Sequence, residues 1–226
     1  MPSILIVGAS RGIGLGLAEE FAARGWEVVA TRRNDAAALE KLGRSDGKVR
    51  LETVDIADPA SAEGLRARLN GEQFDAIVVN AGVGGPQANP RTVSREAFAD
   101  LFVTNALGPV RLAELLAKNV KPGTGVVGLM TSNLGSVASN EGGGMELYRA
   151  SKAALNSFTR SFAARHRDRG WAVLSLHPGW VRTDMGGAGA AIDVATSAKG
   201  LADVVERALK DRNSGFFDYR GQPLAW

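Results

Sequence analysis

The residues with the most chemical reach in this sequence are a tyrosine and a lysine four positions apart, in Tyr148-Arg-Ala-Ser-Lys152. Two tyrosines and seven lysines in 226 residues generate such a pair by chance only about 0.06 times, so the spacing carries information. On a helix, positions i and i+4 share a face, which brings the Lys152 ammonium towards the Tyr148 phenol. A free phenol titrates near about 10, and a neighbouring cation favours the phenolate, so the pair is expected to act as a general acid/base closer to working pH. Proton transfer to a carbonyl oxygen is the chemistry that follows.

A second constellation lies at the other end of the chain. Gly8-Ala-Ser10-Arg11-Gly12-Ile13-Gly14 follows a short apolar run and precedes a helical pattern. The backbone amides of a tight turn and of a helix N-terminus then converge on one spot, which suits an anion. The spacing is Gly-x-x-x-Gly-x-Gly, distinct from the Gly-x-Gly-x-x-Gly of the general dinucleotide fingerprint, in the same strand-turn-helix context. About 20 residues on, where an acid would select NAD through the ribose 2′-hydroxyl, the chain has Arg32 and Arg33. Guanidinium groups suit a 2′-phosphate, Arg11 adds a third inside the turn, and no carboxylate intervenes before Asp35, so the expected cofactor is NADP.

Positioning these groups requires a scaffold, and the periodicity supplies one. Apolar runs at Ile4–Val7, Val28–Thr31, Val49–Val54, Ala76–Val79, Val126–Met130 and Ala172–Leu176 are strand-length and apolar on both parities, as strands covered on both faces are. Helical stripes lie between and after them: Leu15 to Ala23; Phe98, Leu101, Phe102, Asn105, Leu112, Leu115 and Leu116; Ala154, Leu155, Phe158 and Phe162; and Leu201, Val204, Val205, Ala208 and Leu209. This alternation predicts a doubly wound α/β fold, a Rossmann-like parallel sheet flanked by helices on both faces, with its ligand crevice at the carboxyl ends of the strands. Glycine-rich Val83–Pro86, Gly142–Gly144 and Gly186–Gly189 all follow strands, as active-site loops or as plain connectors.

Composition removes several alternatives. At 226 residues, with 45% hydrophobic and 23% charged side chains, the chain reads as one globular domain spanning 1–226. Without cysteine there is no disulfide, thiolate metal site or cysteine nucleophile, and only His166 and His177 are available to a histidine-rich metal site. No apolar stretch approaches the ~20 residues of a membrane span, and Ser3–Val7 is too short for a signal-peptide core, so the expected location is the cytoplasm. The net charge of +3 comes from interspersed signs, which argues against nucleic acid as a partner.

At this point the residues resemble the short-chain dehydrogenase/reductase family across nearly the whole chain. Gly8–Gly14 is similar to its cofactor turn, Asp55-Ile56 to its adenine-contacting acid and neighbour, Asn80-Ala81-Gly82 to its strand-four motif, and Asn105 to its helix-four asparagine. Ser132, Tyr148 with Lys152, and Pro178-Gly179 with Val181 and Thr183 follow in the family's order. His177–Gly187 and Gly221–Trp226 resemble most the subgroup holding the C-factor signalling protein and the sniffer-type carbonyl reductases. The resemblance implies NADPH-dependent reduction of an aldehyde or ketone. Tyr148 would protonate the carbonyl oxygen, Ser132 hydrogen-bond it, and Lys152 hold the cofactor ribose while tuning Tyr148. Asn105 would hold a water that feeds protons towards Lys152, or serve only to pin its helix. It also implies a homodimer or homotetramer pairing through the long helices Phe98–Val120 and Ser151–Arg165. The alternative is a cofactor-binding signalling protein of C-factor type in which turnover is incidental.

Three features depart from the family pattern. Val7 stands where the family usually has threonine, removing a turn hydroxyl. The gap from Ser132 to Tyr148 is three residues longer than usual, which leaves Ser136 as a second candidate for the carbonyl-binding serine and expects the surplus to bulge out at Gly142–Gly144. The segment from Thr183 to Gly200 is short and built of small residues, as a brief, flexible lid over an open site would be. Trp180, Met185, Leu134 and Met145 are then either substrate walls or ordinary packing.

Overall fold

The computed structural model describes residues 1–226 except Asp35 and Gln87. Asp35, the first carboxylate after the arginine pair, thus lies outside the described residues. Seven strands, β1 (Ser3–Val7), β2 (Glu27–Arg32), β3 (Val49–Thr53), β4 (Ala76–Val79), β5 (Val126–Met130), β6 (Ala172–His177) and β7 (Gly215–Asp218), form one parallel sheet in the order β3-β2-β1-β4-β5-β6-β7. The order reverses between β1 and β4, so the crevice at the switch point opens between the carboxyl ends of those strands. Six of the strands match the apolar runs; β7 is additional.

The doubly apolar strand pattern has a direct structural counterpart. Ile4 and Ile6 point into one core with α1 (Gly12–Ala23), α2 (Ala37–Ser45) and α7 (Val194–Asp211), whose contributions include Phe21, Leu39 and Leu201. Leu5 and Val7 point into the other, with α3 (Pro59–Arg68), α5 (Gly108–Leu115) and α6 (Glu146–Arg165), represented by Leu65, Leu112 and Phe162. Each fully buried Leu or Phe of this kind stabilises the fold by roughly 1.5–3 kcal/mol.

Two helices differ from the sequence reading in ways that matter to the site. The stripe from Phe98 to Leu116 is continuous in space but not one regular helix: α4 (Arg95–Phe102) passes into a π-turn at Val103–Leu107 and then into α5. Asn105 sits in the π-turn, fully buried, a placement often tied to function. The helix expected over Ser151–Arg165 starts five residues earlier, at Glu146, so Tyr148 lies in its first turn. Met145 begins that helix at φ +52°, a left-handed conformation unusual for a residue with a side chain. No helix among the described residues is long and apolar enough to cross a membrane.

Candidate active site

The glycine turn is built by hydrogen bonds that fix each side of Gly8. Its N–H donates to the Thr31 hydroxyl on β2 at 3.0 Å, and its carbonyl accepts from Asn80 Nδ2 at 2.8 Å. Thr31 therefore brings a hydroxyl to the turn from the neighbouring strand, where Val7 brings none. Gly8 has φ +85°, and a Cβ there would lie 2.8 Å from Ala81; a Cβ on Gly14 would lie 2.1 Å from the Gly8 carbonyl oxygen. Close chain crossing explains these two glycines. The first turn of α1 has no side-chain cap and no acidic residue, so its amides remain available to an anion.

A cleft of about 540 Å³ runs from this turn to the tyrosine–lysine pair. Gly8, Ser10, Arg11, Gly12, Ile13, Arg32, Arg33, Asp55, Ile56, Asn80, Ala81 and Gly82 line it on one side. Tyr148, Lys152, Pro178 and Thr183 line it on the other. Gly14, Gly179 and Val181, expected to touch the cofactor, do not reach the lining: Gly14 is walled off by Gly8, Gly179 packs on Ile192 and Tyr219, and buried Val181 pairs with Ile192. Sequence reasoning missed Val54, Val83, Thr104, Met130, Thr131, Arg182, Asp184 and Val194, which also line the cleft. Most of them adjoin recognised motif residues in sequence, which was the available signal.

Each arginine at the adenosine end already faces a carboxylate. Arg32 pairs with Glu40 on α2, which also holds Arg44 at 3.1 Å; Arg33 lies 3.9 Å from Asp55, and Arg11 meets Asp184 at 2.8 Å. Nothing in the spacing announced these partners, because Glu40 and Asp184 come from a separate helix and loop.

At the other end, Lys152 is buried and donates from Nζ to the Met130 carbonyl at 3.0 Å, while Thr131 Oγ1 donates to the Lys152 carbonyl at 3.3 Å. Burial alone brings the Lys152 ammonium down to about 8. Nζ stands 5.9 Å from the Tyr148 ring centroid. Burial accordingly pushes the Tyr148 phenol up, with only the Ser132 hydroxyl pulling the other way. The net effect on Tyr148 is thus a rise and not the expected lowering, because burial is the largest cause.

Ser132 is buried beside the cleft and is the serine that draws the Tyr148 phenol down; its hydroxyl donates to Asn133 Oδ1 at 3.3 Å and accepts from Leu134 N–H at 3.2 Å, while Ser136 is buried and hydrogen-bonds Ser139 at 3.0 Å. The surplus residues do leave the body at Gly142–Gly144, where added Cβ atoms would meet nothing within 4 Å. Asn105 accepts from Val83 N–H and donates to the Val83 carbonyl, both at 2.8 Å, and donates to Ser151 Oγ at 3.1 Å. Its side chain is therefore engaged in pinning the β4 loop to the π-turn. A Cβ on Gly82 would lie 3.2 Å from Asn105 Oδ1 and 3.3 Å from Lys152 Nζ, so glycine keeps this junction open. Asn156, which the sequence reading passed over, holds the other flank by donating to the Gly135 carbonyl at 3.2 Å.

The lid is more tied than its composition suggested. Thr183 Oγ1 accepts from Gly186 N–H at 3.1 Å, Trp180 Nε1 donates to the Gly186 carbonyl at 2.9 Å, and Arg182 N–H donates to the Ile192 carbonyl at 2.8 Å. Met185 lines the cleft, whereas Trp180 and Met145 are exposed beyond the lining, and Leu134 is absent from it. No cluster of three or more His, Cys, Asp or Glu suited to a metal occurs among the described residues.

Comparison with known proteins places this geometry. Residues 2–191 match the family model described as short chain dehydrogenase. The chain belongs to the short-chain dehydrogenase family. This dehydrogenase is 38% identical to the C-signal protein of Myxococcus xanthus over 153 residues, 67% of its own length and 92% of that protein. Its fold superimposes on a carbonyl reductase from Pseudomonas aeruginosa PAO1 in complex with NADP, with TM-score 0.92, 43% identity and full coverage of both chains. The carbonyl reductase Sniffer of D. melanogaster gives TM-score 0.91 at 32% identity, again over the whole of both chains. The sequence resemblance to the C-factor and sniffer subgroup is thereby borne out.

Proposed function

We propose that this short-chain dehydrogenase reduces an aldehyde or ketone to the alcohol with NADPH as the reductant. The observation that carries the reading is one continuous cleft with a phosphate-suited glycine turn and three arginines at one end, and Tyr148, Lys152 and the adjoining Ser132 at the other. The residues fit the cofactor: unspent α1 amides and the glycine turn suit its pyrophosphate, and Arg11, Arg32 and Arg33 suit a 2′-phosphate. When bound, NADPH supplies the hydride for the carbonyl carbon.

The chain's own groups handle the oxygen. Tyr148 donates its phenol proton to the carbonyl oxygen, and Ser132 donates a hydrogen bond to the same oxygen as negative charge grows there. Lys152, a cation behind the ring, stabilises the phenolate left after proton transfer and holds the cofactor ribose. Asn105 secures the floor between Lys152 and the β4 loop, and in this proposal it also holds the water that feeds protons towards Lys152. The active assembly is a homo-oligomer through the helical stretch Phe98–Val120 and α6, a reading supported by exposed Phe98, Leu107 and Phe158. The cysteine-free composition suits a reducing cytoplasm.

Similarity to C-signal favours a second reading, an NADP-binding signalling protein with incidental turnover. The test is NADPH consumption over a panel of aldehydes, ketones and quinones with wild type and Tyr148→Phe, alongside NADPH binding by fluorescence. Turnover abolished in the variant with binding retained supports the reductase. Turnover retained in the variant overturns it, and no turnover in either protein despite binding favours the signalling reading.

A further inference from the structure

The segment Val137–Gly144 joins the Ser132 loop to the helix bearing Tyr148, and its fixing points are few. Apart from the local turns Ser136–Ser139 and Val137–Asn140 and the Arg149 contact to the Gly144 carbonyl, it makes a single long-range hydrogen bond among the described residues. That bond runs from Ala138 N–H to the main-chain oxygen of Trp226, at 3.1 Å.

Trp226 is itself held from three sides. Its indole faces the Arg160 guanidinium of α6, 5.3 Å from the ring centroid, and the Phe216 ring of β7 at 5.5 Å. The chain delivering it folds back on β7, with Leu224 N–H donating to the Phe216 carbonyl at 2.8 Å and Asp218 N–H to the Gln222 carbonyl at 2.9 Å. The reversal is organised by the buried Asp218 carboxylate, which accepts from Arg220 N–H and Gln222 N–H at 2.9 Å each. A path of contacts thus links the sheet edge to the segment that joins the Ser132 loop to the Tyr148 helix, with Val137 and Met145 exposed at its two ends.

The structure assigns to Trp226 the role of a positioning residue that clamps Val137–Gly144 and so sets the substrate side of the Tyr148 helix. The effect on catalysis rests on the reductase reading above; the clamp itself does not, and it is measured on the free protein. Hydrogen exchange of Val137–Gly144 and cleavage at exposed Glu141 by a glutamyl endopeptidase are compared for wild type, Trp226→Ala, Trp226→Phe and Arg160→Gln. Expected are at least tenfold faster cleavage and exchange in Trp226→Ala, near wild-type behaviour in Trp226→Phe, an intermediate effect in Arg160→Gln, and unchanged exchange in β1. With a substrate in hand, KM rises several-fold in Trp226→Ala while kcat stays within about twofold and the NADPH Kd is unchanged. Unchanged protection of the segment in Trp226→Ala overturns the clamp. Where Trp226→Ala loosens β1 equally, the comparison is read on Arg160→Gln, and loosening of the segment no greater than that of β1 in that variant overturns the clamp.

Discussion

Lys152→Met should make this protein more stable at pH 7 while removing its activity. The wild-type ammonium is buried, has one hydrogen bond, to the Met130 carbonyl, and has no carboxylate against it among the described residues. Burial takes it from 10.5 to about 8, which corresponds to roughly 3 kcal/mol against folding wherever both folded and unfolded chains carry the proton. That penalty is complete below pH 8. Between 8 and 10.5 the folded state releases a proton that the unfolded state keeps, so wild-type stability gains with rising pH; above about 10.5 the penalty is gone. Methionine keeps much of the side-chain length and loses the hydrogen bond, an offset of about 1 kcal/mol. The net expectation at pH 7 is about 2 kcal/mol in favour of the variant, or about 4–8 °C in Tm for a chain of this size. The advantage should shrink steadily to nothing, or slightly reverse, by about pH 10.5. Urea and thermal unfolding of both proteins at fixed concentration across pH 7–10.5 give the answer. A variant no more stable than wild type at pH 7, or a difference indifferent to pH, refutes the argument. A buried charge kept against stability is what a catalytic role predicts.

Other expectations are as specific. Replacing Arg32 and Arg33 by alanine should weaken NADPH binding at least tenfold while changing NADH little; equal losses measured by calorimetry would remove these residues from the 2′-phosphate site. Gly8→Ala combines a left-handed backbone with a 2.8 Å approach to Ala81, so a loss of about 2 kcal/mol or more is expected in urea unfolding. Phe98→Glu with Phe158→Glu should convert the proposed homo-oligomer to monomer in light scattering, and an unchanged mass would clear these two positions of any role in association. Asn156→Ala should slow turnover more than it alters NADPH Kd, because it frees the loop that follows Ser132; an unchanged kcat would show that Lys152 and Thr131 suffice to hold that loop.

The sheet was legible because strands buried on both faces leave a signal at every position, as in Ile4–Val7, and because the intervening stripes repeat at helical spacing. The strand β7 escaped notice because four residues beginning with glycine at a sheet edge carry little apolar pattern, and α2 and α3 because their faces are largely polar. In the site, Tyr148 and Lys152 were legible from spacing, since a helix fixes the distance between i and i+4. The sign of the Tyr148 perturbation was not, because it depends on burial contributed by remote chain. The same holds for Glu40, Asp55 and Asp184 opposite the arginines, and for the choice between Ser132 and Ser136, which turns on which hydroxyl meets the phenol.

The π-turn at Val103–Leu107 makes this stretch sensitive to length in a way that substitutions do not test. Such a turn holds one residue more than the α-turn it replaces, and each residue of an α-helix advances the chain by about 100°. Deleting one residue there would restore even winding and swing all of α5 round its axis. Gly108, whose Cβ position lies 2.5 Å from the Ile56 carbonyl oxygen, would leave that contact, and Asn105 would lose its hold on Val83. Relatives sharing this site should therefore keep Asn105, vary in side chain at the other positions of 103–107, and show no gap there in an alignment.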